Sequence, residues 1–257
     1  MSQDHTLMES RYELKYLIPS ALALQVRDFV QQHLEIDEYG ACQPDLSYPV
    51  HSLYLDSDDW KIYWRTINGD KNRFKLRIRY YNDSPRTPVF FEIKRRMKDV
   101  ILKQRCAIKR GGEEQVLAGH VPGVEFFASN NPSERFSLEH FIELMLDLNA
   151  KPKMHVAYVR EAYVSPFNNE VRLTMDRAVR AQPRFDGGLI TSMEKPFLCT
   201  SETVILELKF TGRFPNWYRD LVRTFDCFQT GAAKYMEGTT LYLGRDLHER
   251  DVARNLE

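Results

Sequence analysis

Cysteine is scarce. Four residues, Cys42, Cys106, Cys199 and Cys227, are scattered over 257 positions with no C-x-x-C spacing. That leaves neither a disulfide scaffold nor a zinc-ribbon site and points to a reducing compartment. Net charge is missing too: 36 Lys plus Arg balance 36 Asp plus Glu. A general nucleic-acid or membrane-surface binder would carry a basic excess, so any basic patch here must be local. No apolar run reaches the roughly 18 residues of a membrane-spanning helix, so no direct membrane insertion is expected. The opening M-S-Q-D-H-T-L-M-E-S has no apolar core and does not read as a secretory signal. These absences place the chain in the cytoplasm. Walker-A, H-E-x-x-H and Ser-His-Asp patterns are also lacking, which removes P-loop, zincin and triad chemistry. With no internal repeat, low-complexity tract or linker, residues 1–257 read as one domain.

What is present is alternation. Segments near 11–17, 50–56, 72–81, 88–95, 100–109, 153–164, 171–181 and 203–210 carry strand periodicity. The turn-rich links N-D-S-P-R-T-P (82–88) and S-P-F-N-N (165–169) predict antiparallel hairpins. Helical spacing occurs at 20–33 (Leu22, Val26, Phe29, Val30) and after Ser137, a candidate cap (Phe141, Leu144, Met145, Leu148). It recurs after Pro215 (Trp217, Leu221, Phe225). The class is α+β, built on an antiparallel sheet.

The polar parity of these strands is unusual. In R-F-K-L-R-I-R-Y-Y (73–81), Arg73, Lys75, Arg77 and Arg79 oppose Phe74, Leu76, Ile78 and Tyr80. E-x-K recurs at 13–15, 92–94 and 207–209, each time opposite apolar residues. One such strand could simply have a wet face; a whole set rich in Arg and Lys suggests convergence on one lumen in a closed barrel, with helices covering the apolar outside. Such a lumen is expected to hold a polyanion, because guanidinium forks match phosphate oxygens and lysine adds point charge. Glu13, Glu92, Asp176 and Glu207 would either hold a divalent cation or pair with neighbouring cations. The surplus of lumen cations predicts that removing one, such as Arg77, relieves repulsion in the ligand-free protein.

R-Y-E-L-K-Y, S-L-Y-L-D, R-I-R-Y-Y, F-E-I-K, K-Q-R, Y-V-R-E-A-Y, V-R-L-T-M-D, L-E-L-K-F and G-A-A-K-Y, in that order over about 9–243, resemble the VTC domain. That is the polyphosphate polymerase domain of the triphosphate tunnel metalloenzyme superfamily. The resemblance implies an eight-stranded antiparallel β-barrel tunnel with helices packed outside, which extends inorganic polyphosphate from the γ-phosphate of ATP with Mn²⁺ or Mg²⁺. Carried over by motif, the catalytic phosphate-gripping set is Lys15, Arg77, Arg79, Lys94, Lys103, Arg160, Arg172 and Lys234. Tyr158 adds a hydroxyl, and Glu207 is the implied metal ligand. Glu13, Arg105 and Lys209, on the lumen parity, complete the expected substrate-binding set. Ala233 departs from the pattern, standing where the resemblance implies a hydroxyl residue. The sensor domain and membrane spans of the eukaryotic relative are not expected in this chain, leaving a separate membrane partner possible.

Phosphoryl transfer needs positioning and charge neutralisation more than covalent help. The expected partners are ATP and pyrophosphate or polyphosphate, and no nucleic acid. A tunnel-family triphosphatase using water as acceptor, a non-catalytic polyphosphate-binding module and an RNA-binding β-protein are the alternatives. The last lacks the interleaved aromatics of single-strand binders.

Overall fold

The computed structural model describes residues 11–98, 100–166 and 170–254. Residues 9 and 10 of the expected core and 167–169 of the expected turn lie outside them.

All eight expected strands form: β1 (Arg11–Pro19), β3 (Tyr48–Asp56), β4 (Asn72–Tyr80), β5 (Val89–Met97), β6 (Val100–Ile108), β7 (Lys151–Val164), β8 (Val171–Pro183) and β10 (Thr203–Thr211). Two dipeptide strands, β2 (Glu35–Ile36) and β9 (Phe197–Leu198), attach to β7 and β8. They are too short for periodicity to register. The long strands run β7-β3-β4-β5-β6-β1-β10-β8, every pair antiparallel, and β8 pairs back to β7.

Among the described residues the ring is not uniformly closed. β1 is in register with β10 over its whole length, from Arg11↔Thr211 to Pro19↔Thr203. Against β6 the one registered pair among the described residues is Arg11↔Ile101. β1 commits its backbone to β10, and strand twist then carries it away from β6. The expectation of a closed barrel is therefore corrected to a tunnel-like ring pinned, rather than zipped, at one seam.

Apolar residues face outward beneath helices. In β4, Leu76, Ile78 and Tyr80 are fully buried. Helix α5 (Pro132–Asp147) lies over β5 and β6, with Phe141 edge-on to Phe91 at 5.2 Å between ring centroids. It starts before Ser137: Asn131 is the cap, accepting from the Ser133 amide at 3.0 Å, and Pro132 opens the first turn. The Ser137 hydroxyl instead donates back to the Ser133 carbonyl. Helices α1 (Ala23–Val30) and α6 (Asn216–Thr224) cover a second apolar cluster that includes Leu173, Leu206 and Leu208.

Four helices were not legible as patterns: α2 (Glu38–Ala41), α3 (Lys61–Ile67), α4 (Glu113–Leu117) and α7 (Lys234–Arg254). The first three are shorter than the window on which helical periodicity depends. Helix α7 lacks a clean apolar stripe. Its seat depends on Gly238, where a Cβ would stand 2.3 Å from that of Ala181 on β8. Tyr235 and Tyr63 anchor α7 to α3, through Tyr235 donating to Asp56 at 2.7 Å and Tyr63 meeting Thr240 at 2.9 Å. Asp56 also accepts from the Ile62 and Tyr63 amides that open α3.

Candidate phosphate-binding tunnel

A cavity of about 320 Å³ runs inside the ring. All thirteen residues singled out from the sequence line it: Lys15, Arg77, Arg79, Lys94, Lys103, Arg160, Arg172, Lys234, Glu13, Arg105, Tyr158, Lys209 and Glu207. For the twelve that lie on strands parity is the cause, since residues two apart share a face and antiparallel register stacks them side by side, whereas Lys234 enters from the start of α7.

E-x-K explains one wall. In antiparallel register Glu13 lies opposite Lys209 and Lys15 opposite Glu207, so the two tripeptide repeats set opposite charges side by side. Lys15 Nζ is 3.2 Å from Glu13 and 3.6 Å from Glu207, while Lys209 Nζ is 3.1 Å from Glu207. Burial alone would lower the Lys15 ammonium, but Glu207 and Glu13 hold it above the ordinary lysine value. Glu207 resists the upward push of burial because Lys209 and Lys15 keep it well below the usual carboxylate range.

Glu92 anchors the opposite wall. Though fully buried, it receives Arg77 through Nε at 2.7 Å and Nη2 at 2.6 Å, and Lys103 at 2.6 Å. Arg105 stands 3.4 Å away and Arg79 4.0 Å away. Arg77 also donates to Tyr54 at 3.2 Å, and Arg79 to Tyr158 at 3.1 Å. Asp176 has the same role beneath β7. Arg160 grips it bidentately at 2.7 and 2.8 Å, and Lys234, the first residue of α7, reaches it at 2.7 Å. Of the four carboxylates expected in the lumen, Glu92 and Asp176 are thus ion-pair anchors behind the cations. Glu13 and Glu207 face the cavity.

The anchors do not balance the charge. Eleven Lys and Arg side chains line the cavity against those two carboxylates. The buried Nε–H groups of Arg79, Arg105 and Arg172 have no hydrogen-bond partner. Donors buried without acceptors are costly, and these three all belong to cavity-lining residues.

Sequence reasoning left several lining residues out of the site. Lys75 shares the parity of Arg77 and Arg79, and that alone could have placed it there. It lies opposite Lys94. Burial, Lys15 and Lys94 push its ammonium down to about 7. Tyr39, Tyr48, Tyr54, Tyr81 and Tyr235 also line the cavity; Tyr48 and Tyr54 share one face of β3, but Tyr39, Tyr81 and Tyr235 come from other segments that only tertiary structure brings to it. Arg172 donates to Asp37 at 3.0 Å, a contact no local pattern signals. Ala233 lines the cavity too, and its methyl side chain supplies no donor there.

Oxygen ligands for a divalent ion are limited. No group of three metal-ligating side chains occurs among the described residues. Glu13 and Glu207 adjoin each other and supply hard carboxylate oxygens. Magnesium-type ions commonly take one or two carboxylates and complete their shell with water and substrate phosphate. The donor set fits such an ion only in company with a phosphate ligand.

Comparison with known proteins places the chain in a family. The VTC domain family matches residues 10–243. Vacuolar transporter chaperone complex subunit 2 of Schizosaccharomyces pombe is 22% identical over 186 residues, covering 66% of this chain and 25% of that protein. The chain therefore spans about a quarter of the length of the curated relative it matches. Two solved structures resemble it more distantly. The candidate adenylate cyclase bh2851 of Bacillus halodurans has TM-score 0.47 and 13% identity over 88% of this chain and 94% of its own. PH1819 of Pyrococcus horikoshii has TM-score 0.44 and 14% identity over 91% and 99%. With its family match running across nearly all of the ring, this chain belongs to the VTC domain family.

Proposed function

We propose that the chain is an ATP-dependent polyphosphate polymerase working inside this cavity. The observation that carries the reading is the imbalance of eleven basic side chains against two facing carboxylates, in an enclosed bore. An extended chain of phosphates neutralises such a bore along its length, whereas a single compact anion meets only part of it.

In this reading the terminal phosphate oxygen of the growing chain attacks the γ-phosphorus of ATP. A new P–O bond forms, the bond to the β–γ bridging oxygen breaks, and ADP leaves. Arg160 and Arg172 form the charge clamp on the transferring group, since planar guanidinium matches it. Asp176 orients Arg160 through the bidentate pair, and Asp37 orients Arg172. Lys15, Arg77, Arg79, Lys94, Lys103 and Lys234 hold the flanking phosphates; Glu13, Arg105, Tyr158 and Lys209 shape the same bore. Mn²⁺ or Mg²⁺ held by Glu207, with Glu13 beside it, would supply further neutralisation of phosphate charge.

No helix among the described residues is long and apolar enough to cross a membrane. Since the yeast relative is named as a subunit of a complex, we place this chain in the cytoplasm with a separate partner protein, at a membrane if product is exported.

Purified protein incubated with ATP and Mn²⁺, with products resolved by length, tests the reading. Long-chain phosphate is expected. Orthophosphate alone would make the chain a triphosphatase, and unchanged ATP would make it a binding module.

A further inference from the structure

At one mouth of the bore, aromatic rings from separate elements converge. Tyr39 comes from the four-residue helix α2, Tyr48 opens β3, Tyr81 follows β4, and all three line the cavity. The rings of Tyr39 and Tyr81 lie within 6° of parallel, with centroids 6.3 Å apart. Tyr48 is tilted against both, at 5.7 and 6.3 Å. Phe90 continues the group, edge-on to Tyr81, and carries the Arg105 guanidinium 3.6 Å above its ring.

Packing does not account for this arrangement. A tyrosine recruited as mouth lining would be expected to bury its ring, yet Tyr39 is 60% exposed. The 6.3 Å centroid separation of Tyr39 and Tyr81 is that of an ordinary stacked pair, so it is the exposure of Tyr39, not a gap between the rings, that leaves a ring face open to a ligand. The group is also mechanically joined to the phosphate site. Buried Asp37 accepts from the Gly40 amide inside α2 at 2.9 Å, from the Tyr48 hydroxyl at 2.8 Å and from Arg172 at 3.0 Å. One carboxylate thus fixes the helix that presents Tyr39, a second ring and a lining cation. Arg79, with its unpartnered Nε–H, lies directly across the β4–β5 register from Phe90.

An aromatic mouth opening onto a polycationic bore matches a ligand with a planar head and a polyanionic tail. We propose that Tyr39 and Tyr81 form a stacking site for the purine base of a nucleoside triphosphate whose phosphates enter the bore. The site distinguishes a nucleotide donor from bare inorganic polyphosphate, which has no ring to stack. The inference rests on the reading of the bore as a phosphate tunnel and adds to it the recognition of the base.

Stacking on aromatic side chains tolerates any base but needs the ring. The test is calorimetric affinity for ATP and for inorganic triphosphate, at fixed ionic strength, in wild type, Tyr39→Ala, Tyr39→Trp and Tyr81→Leu. Tyr39→Ala and Tyr81→Leu are expected to weaken ATP roughly tenfold and leave triphosphate unchanged, while Tyr39→Trp retains ATP affinity. The fluorescent purine analogue 2-aminopurine riboside triphosphate should be quenched by wild type and less so by Tyr39→Ala. Unchanged ATP affinity in both loss variants, or an equal loss for ATP and triphosphate, would overturn the stacking site while leaving the tunnel intact. If wild type binds neither ligand, the tunnel reading itself fails and the base site goes with it.

Discussion

Lys75 and Lys94 face each other across the β4–β5 register, and the carboxylate bonded to either of them among the described residues is Glu13, which holds Lys94 at 2.7 and 2.9 Å. Like charges directly opposite destabilise a sheet. The cost is concentrated in Lys75, for which no ion pair occurs among the described residues.

Its titration gives a signed prediction. Burial, with Lys15 and Lys94 nearby, lowers Lys75 to about 7 in the fold, whereas an unfolded lysine titrates near 10.4. Between those values the unfolded chain binds more protons, so stability rises with pH. The ligand-free protein should therefore gain melting temperature from about pH 7 upward, and Lys75→Met should flatten that rise while leaving the protein at least as stable at neutral pH. Melts of both proteins across pH 6 to 9 decide it; a steeper rise in the variant would contradict the assignment.

Phosphate binding should run the opposite way. Lys75, and Lys209, which burial lowers to about 8 despite Glu207, are partly neutral at mildly alkaline pH. A polyanion favours their charged forms, so triphosphate binding at pH 8 should take up protons and weaken as pH rises. Calorimetry in two buffers of different ionisation enthalpy measures the uptake directly. Identical apparent enthalpies would show that these lysines are already charged.

Arg77 does not behave as its parity suggested. The sequence predicts relief on its removal, but Arg77 is held to buried Glu92 through two nitrogens and to Tyr54 through a third. At neutral pH Arg77→Ala should lower the melting temperature of the ligand-free protein and weaken the phosphate-induced shift, where Lys75→Met should weaken the shift without lowering the ligand-free melting temperature. Differential scanning of the two variants separates a paired cation from an unpaired one.

Asp176→Asn leaves Arg160 and Lys234 without their shared counter-charge. Breaking a buried pair from one side commonly costs about 3–5 kcal/mol, because the surviving charge is left uncompensated. The variant should melt well below wild type, and added triphosphate should recover part of the loss by replacing the missing negative charge. Recovery by phosphate, absent with chloride at equal ionic strength, is the diagnostic observation.

Glu207→Gln keeps the shape of the side chain and removes the charge that binds Lys209 and Lys15 and would attract a divalent ion. Polymerisation from ATP should fall about a hundredfold or more, and its dependence on Mn²⁺ concentration should flatten. A variant with full activity and wild-type metal response would reduce Glu207 to an ion-pair partner.

The local sequence determined the strands, their two faces and most of the cavity wall. Alternation has period two, so Arg77 and Arg79 share a side whatever the fold, and E-x-K on antiparallel neighbours must offer matched charges. The nine motifs in order carried the resemblance to the family that matches residues 10–243. What tertiary structure alone decided is whatever depends on register between distant segments. Glu92 and Asp176 are ion-pair anchors because four cations converge on one and two on the other. Lys75 has no ion-pair partner among the described residues, and its cross-strand neighbour is another lysine. Among the described residues the β1–β6 seam registers at a single pair, while β1 is in full register with β10. Asp37, a residue in no strand pattern, ties α2, Tyr48 and Arg172 together, and Tyr81 joins Tyr39 and Tyr48 through ring contacts; such long-range contacts leave no periodic trace in the chain.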